Sequence, residues 1–195
     1  MSFTNYEAKE INCKIVYFGA KGSGKTENLR AIFRNTSKEV RSGFLELANK
    51  AAPTQYFDFL PLSLGHVNNY HLKLHLYSFN LHCVYESLVP VLLKGIDGFV
   101  FVADSRVEAL GENISALVEA RQLLLAESYE VSQLPHVVQY NKRDLTDLVP
   151  LDLLRQELNP EGAIEHEAVA TDSMGTMETV QSMAKLILEK LASNQ

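Results

Sequence analysis

Two short segments carry residue types whose spacing could do chemistry. Gly19-Ala-Lys-Gly-Ser-Gly24-Lys25-Thr26 fits G-x-x-x-x-G-K-[ST] over its full length. Gly19, Gly22 and Gly24 permit backbone conformations closed to other residues. The peptide N–H groups of the loop, including those of Lys21 and Ser23, can then turn inward toward phosphate oxygens. The following helix would add its positive N-terminal end. Lys25 would reach the terminal phosphates, and the Thr26 hydroxyl would ligate Mg²⁺. Average composition produces this pattern in about one chain in a hundred of this length. The bland alternative is a glycine-rich turn with a solvated lysine.

The second segment is Asn141-Lys-Arg-Asp144, directly after an apolar run. A carboxylate at Asp144 can accept hydrogen bonds from guanine N1–H and the exocyclic amine, a donor pair that adenine lacks. A polar pocket of this kind rejects the wrong base. Asn141 would tie the loop to the base and to the phosphate loop, and the Lys142 stem would lie over the base plane. Alone, Asn-Lys-x-Asp is a weak signal because Asn and Asp are common turn residues. Paired with an upstream phosphate loop, it points to guanine.

These residues need a scaffold, and the apolar pattern supplies one. Ile11 to Phe18 reads as a buried strand, and Gly24 to Phe33 as a helix with Leu29, Ile32 and Phe33 inward. Thr54 to Leu64 and Asn69 to Phe79 read as extended; Leu72, Leu74 and Leu76 alternate with Lys73, His75 and Tyr77 at period two. Residues 99–103 and 135–140 resemble central parallel strands. Leu110, Ile114, Leu117, Val118, Leu124 and Leu125 are expected on one buried helix face, and so are Met177, Val180, Ala184, Ile187, Leu188 and Leu191. Pro150 is expected to open a short helix over 151–158. Strands alternating with helices imply an α/β fold with a mostly parallel central sheet flanked by helices. Ligands in such sheets bind beyond the carboxyl ends of the strands.

The 195 residues suit one domain, 1–195. Apolar residues make up 46%, charged residues 22%, and the formal charge is −6. These values exclude a disordered chain, and no basic stripe is present to hold nucleic acid. Two cysteines, Cys13 and Cys83, suit a reducing compartment. The first ten residues lack a secretory pattern, Ser2 rules out myristoylation, and the last residues lack a prenylation cysteine. A cytoplasmic protein without direct membrane insertion is expected, monomeric when alone.

The motifs, their spacing and the chain length resemble the Ras-like small GTPases of the P-loop NTPase fold. More particularly, the sequence resembles bacterial gliding-motility GTPases of the MglA type. The resemblance extends over almost the whole chain. It rests on Glu10-Ile-Asn-Cys-Lys-Ile-Val-Tyr17, Tyr56-Phe-Asp-Phe-Leu-Pro-Leu-Ser-Leu-Gly65, Leu93-Lys-Gly-Ile-Asp-Gly98, Phe101-Val-Ala-Asp-Ser105 and Gln139-Tyr-Asn-Lys-Arg-Asp144. It implies a polarity switch that binds GTP and GDP with Mg²⁺ and is recruited to a cell pole in the GTP form. The implied partners are a Roadblock-type regulator and polar or motility effectors, engaged through switch regions near 40–56 and 79–90. By the same resemblance, Thr54 would touch Mg²⁺ and the γ-phosphate. Asp58 would take a water-mediated metal role, Ser78 standing at the family's missing acidic position. Ala168, Val169 and Ala170 would pack beside the base.

Measured against that family, three departures bear on hydrolysis. Asn80-Leu81-His82 replaces Pro-Gly-Gln, leaving His82 as the one residue placed to orient the attacking water. Pro53 replaces an arginine finger, and Lys21 replaces a glycine where bulk crowds the in-line water. An arginine finger is worth about 10³–10⁵ in rate, so hydrolysis is expected to be slow or partner-dependent. Three functions stay open: a GTP-dependent switch, a nucleotide-independent pseudo-GTPase scaffold, and a P-loop ATPase or small-molecule kinase. His71 and His75 form at most a metal pair without a third ligand.

Overall fold

A computed structural model describes residues 3–5, 7–48, 55–67, 69–80 and 88–193. The central element is β2 (Glu10–Phe18), whose residues alternate between two apolar clusters. Cys13, Ile15 and Tyr17 face one side, and Val16 and Phe18 face the other. Such two-sided burial requires cover on both faces, which the helices provide. On the first side lie α1 (Lys25–Asn35) and α5 (Thr176–Ser193). On the second lie α2 (Val89–Leu93), α3 (Leu110–Ala126) and α4 (Leu151–Leu158).

The remaining strands are β1 (Phe3–Asn5), β3 (Leu45–Ala48), β4 (Gln55–Val67), β5 (Tyr70–Ser78), β6 (Gly98–Asp104), β7 (His136–Asn141) and β8 (Ile164–Glu167). They form an eight-stranded sheet in the order β3-β4-β5-β2-β6-β7-β8, with β1 also paired to β2. The pairs β5-β2-β6-β7-β8 are parallel; β3-β4, β4-β5 and β1-β2 are antiparallel. Both ends of the path, β3 and β8, are only four residues long.

The alternation on β5 holds, with Leu72, Leu74 and Leu76 buried and Lys73, His75 and Tyr77 half-buried. α1 buries Leu29 and Ile32, each burial contributing about 1.5–3 kcal/mol. α3 differs from expectation. Its buried residues are Asn113, Ala116, Leu117, Ala120 and Leu124, whereas Val118 and Leu125 are 49% and 61% exposed. Small alanines and one asparagine take the face that apolar counting assigned to larger residues. Asn113 earns its place by closing the end of β6: its Oδ1 accepts from Asp104 N and its Nδ2 donates to Asp104 O. Cys13 is buried, and burial pushes its thiol up to about 12, which leaves it unreactive. Among the described residues, no helix is long and apolar enough to cross a membrane.

Candidate functional site

The carboxyl ends of β2, β6 and β7 converge where open α/β sheets bind ligands. Residues 19–24 turn from β2 into α1, with Ser23 N donating to Ala20 O at 3.2 Å. Gly24 has φ +104°, and a Cβ there would sit 2.1 Å from Asn141 Nδ2, so backbone conformation and close approach both demand glycine. At Gly19 a Cβ would meet Val102 O at 2.1 Å. Lys25 is buried, and its ammonium donates to Gly19 O at 2.7 Å and Ala20 O at 2.8 Å. The charge therefore spans the loop from the inside. Lys21 and Gly22 are exposed at its tip.

Beside the first turn of α1, β4 and β5 build a second feature. Asp58 and Ser78 are direct cross-strand partners, continuing the apolar row Leu62–Leu74 and Leu60–Leu76. Thr26 Oγ1 and Ser78 Oγ both donate to Asp58 Oδ2, at 2.6 and 2.7 Å. Asp58 Oδ1 is buried and has no hydrogen-bond partner among the described residues. Burial raises the Asp58 carboxyl above its ordinary value, and the two hydroxyls offset part of that rise. A buried carboxylate oxygen beside a threonine hydroxyl is a hard-oxygen donor set that fits Mg²⁺.

The base end is held differently. Asn141 Nδ2 donates to Ser23 O at 2.7 Å, and Ala170 N donates to Asn141 Oδ1 at 3.0 Å. One amide thus joins the phosphate loop to the segment after β8. Asn141, Lys142, Asp144, Val169, Ala170 and Thr171 line a cavity of about 180 Å³. Asp144 is exposed at its mouth, Val169 and Ala170 are buried in its wall, and Ala168 N donates to Tyr140 O. Lys142 adopts φ +66° and donates through Nζ to Asp104 Oδ2 at 2.7 Å. Burial would raise the Asp104 carboxyl, but Arg106 and Lys142 outweigh it and hold it below its ordinary value.

Gly19, Lys21, Gly22, Ser23, Gly24, Lys25, Thr26, Asp58, Asn141, Lys142, Asp144, Val169 and Ala170 thus surround one set of strand ends. Pro53, Thr54, Leu81, His82 and Cys83 lie outside the described residues. Asp104 is an anchor to which sequence reading assigned no role. The available signal was a carboxylate at the carboxyl end of a fully buried strand. His71 and His75 engage different partners: Ser63 Oγ lies 3.2 Å from His71 Nδ1, and Asn12 Oδ1 lies 2.9 Å from His75 Nε2.

No family model matches the chain. The chain is, however, 41% identical over 191 residues to the "Mutual gliding-motility protein MglA" of Myxococcus xanthus (strain DK1622), an alignment covering 98% of each. The chain belongs to the MglA family of small GTPases. The Ras-like architecture, with its parallel core and antiparallel β3-β4-β5 edge, is that of an MglA-type GTPase. The loop at 19–26 lies within the part of the chain that aligns with that relative. The two motifs are brought together in space and joined through the Asn141 side chain.

Proposed function

We propose that the chain is a single-domain guanine-nucleotide switch that governs gliding motility and cell polarity through GTP-dependent partner binding. The observation that carries this reading is the Asn141 side chain, which bonds the phosphate loop and the base-side segment at once. In this reading Asp144 selects guanine, Val169 and Ala170 border the base, and Lys25 serves the terminal phosphates. Thr26, Asp58 and Thr54 would hold Mg²⁺, which when bound neutralises charge on the phosphate oxygens. Asp58 Oδ1, buried and unpartnered, supports that assignment.

Hydrolysis is slow or partner-dependent. Pro53, Leu81 and His82 stand where the family carries Arg, Gly and Gln, and Lys21 replaces the usual glycine. Without arginine finger and glutamine, turnover near or below about 10⁻⁴ s⁻¹ follows, the intrinsic level of related enzymes. A Roadblock-type regulator and motility effectors would engage the segments near 40–56 and 79–90 and recruit the GTP form to a pole. Two exposed apolar side chains next to the metal corner and α2 suit this use: Leu45 is 52% exposed and Val91 is 64% exposed.

The deciding experiment measures GDP and GTP affinities and single-turnover GTP hydrolysis with Mg²⁺. Tight binding with negligible turnover is expected. Measurable turnover would instead implicate His82 or Lys21, identified by Ala replacement. No saturable guanine-nucleotide binding would leave a nucleotide-independent scaffold.

A further inference from the structure

Two residues before Asn141 on β7 lies Gln139, on the same face of the sheet. It is fully buried among the side chains of β6, α1 and α5, an otherwise apolar cluster. Its Nε2 donates to Asn28 Oδ1 at 2.9 Å and to Thr179 Oγ1 at 2.8 Å. Both partners can only accept at those atoms. The Thr179 hydroxyl proton goes to Gly175 O at 2.6 Å, and the Asn28 amide donates to Gly24 O at 3.1 Å. The orientation of the Gln139 amide is therefore set by the network. Asn28 and Thr179 are themselves fully buried.

The chain of bonds runs from the Gly175 carbonyl, through Thr179, Gln139 and Asn28, to the Gly24 carbonyl. It ends one peptide beyond the carbonyl that Asn141 holds, since Asn141 bonds Ser23 O. In a trans peptide the C=O and the following N–H point in opposite directions. Gly24 O also accepts the first helical bond, from Asn28 N at 2.9 Å, so the Asn28 side chain reinforces a carbonyl that the helix already holds. With the Ser23 and Gly24 carbonyls held on the core side, the N–H groups of Gly24 and Lys25 are left to the opposite, loop side. Gln139 leaves its own Oε1 buried without a partner among the described residues, a cost that an apolar residue would avoid. Stability alone does not account for it.

We infer that Gln139 is a positioning residue for nucleotide binding: through Asn28 it fixes the peptide after Gly24, and through Thr179 it ties that peptide to the start of α5 behind the base-side segment. This rests on the guanine-nucleotide reading above. The amides at 139 and 141 work as a pair, one reaching the loop directly and one through α1.

The test uses the full chain loaded with fluorescent GDP and Mg²⁺. Gln139→Leu removes the double donor. Asn28→Leu combined with Gln139→Leu removes donor and acceptor together and keeps an apolar interior should the single variant fold poorly. Both are expected to release GDP about tenfold faster than the parent chain. In the GDP complex, the Gly24 and Lys25 amides should exchange hydrogen faster, while those of β6 keep their rates. GDP release within about twofold of the parent in the double variant would overturn the inference. Equal acceleration of the β6 amides would do the same, because that is general destabilisation. A parent chain that does not bind GDP would show first and would overturn the nucleotide reading itself.

Discussion

Asn141 and Asp58 are equally buried, each 2% exposed, and both touch the loop-to-helix segment at 19–26, yet they are in opposite states. Asn141 is neutral, and its two amide ends bond two different backbone segments. Asp58 has one oxygen shared by two hydroxyls and the other without a partner among the described residues. The base end completes itself from protein atoms alone. The metal corner is built with a deficit that a cation would fill. On the proposed reading, binding at the first is recognition by a finished surface, and at the second it is relief of a buried charge.

The largest effect expected on this contrast is at the base end. Asp144→Asn should weaken GDP binding on the order of 10⁴-fold and favour xanthosine diphosphate, compared by competition for the same site. Unchanged base preference would move guanine selection away from Asp144. Next, Asn141→Ala strands the Ser23 carbonyl and the Ala170 N–H, and should cost about 3 kcal/mol in urea unfolding. A smaller cost would mean that the two segments hold together without it.

The metal corner should respond with opposite sign. Because burial raises the Asp58 carboxyl above 3.8, the folded chain holds a proton more tightly there than the unfolded chain. That contribution to stability falls as pH rises from 3.8 through the raised value, and above it the full cost of a buried charge remains. With chelator at neutral pH, Asp58→Asn removes the buried charge and should therefore raise stability in urea unfolding, while abolishing any effect of Mg²⁺ on GDP release. Destabilisation would show that Asp58 is already satisfied without a cation. The smallest change is Ser78→Ala, which removes one hydroxyl from Asp58 Oδ2. It should cost about 1 kcal/mol above the titration of Asp58 and less below it, read from unfolding at several pH values.

Much of this contrast was legible before any coordinates. Glycine spacing, Lys25, Thr26 and the Asn-Lys-x-Asp segment identify the ligand class because each residue has a chemical job that few substitutes perform. The β5 alternation and the buried runs of β2 and β6 place those residues at strand ends. What sequence reading left unassigned depends on three-dimensional partners. Ser78 reads only as the residue at the family's missing acidic position, and its register opposite Asp58 shows it as a hydroxyl donor. Gln139 and Asn28 are 111 positions apart, and no periodicity links them. On α3, residue size misled, since Val118 and Leu125 are exposed while Ala116 and Ala120 face the core. In a tight helix-to-sheet contact, small residues permit close approach.

The short outer strand β8 has a consequence for the behaviour of the chain in bulk. Its sequence, Ile164-Glu-His-Glu167, offers an open ladder beside a 41%-exposed isoleucine, the kind of template on which chains stack edge to edge. Glu165 is gripped by Arg155, Asn159 and Tyr140, and Glu167 by Arg143, so the outer strand carries two carboxylates on one face, both held in ion pairs. Burial opposes ionisation of Glu165, but those partners prevail and hold it below its ordinary value. Glu165 therefore keeps its charge under mild acid, and a charged residue on an edge strand disfavours edge-to-edge stacking while the same side chain fastens β8 to α4.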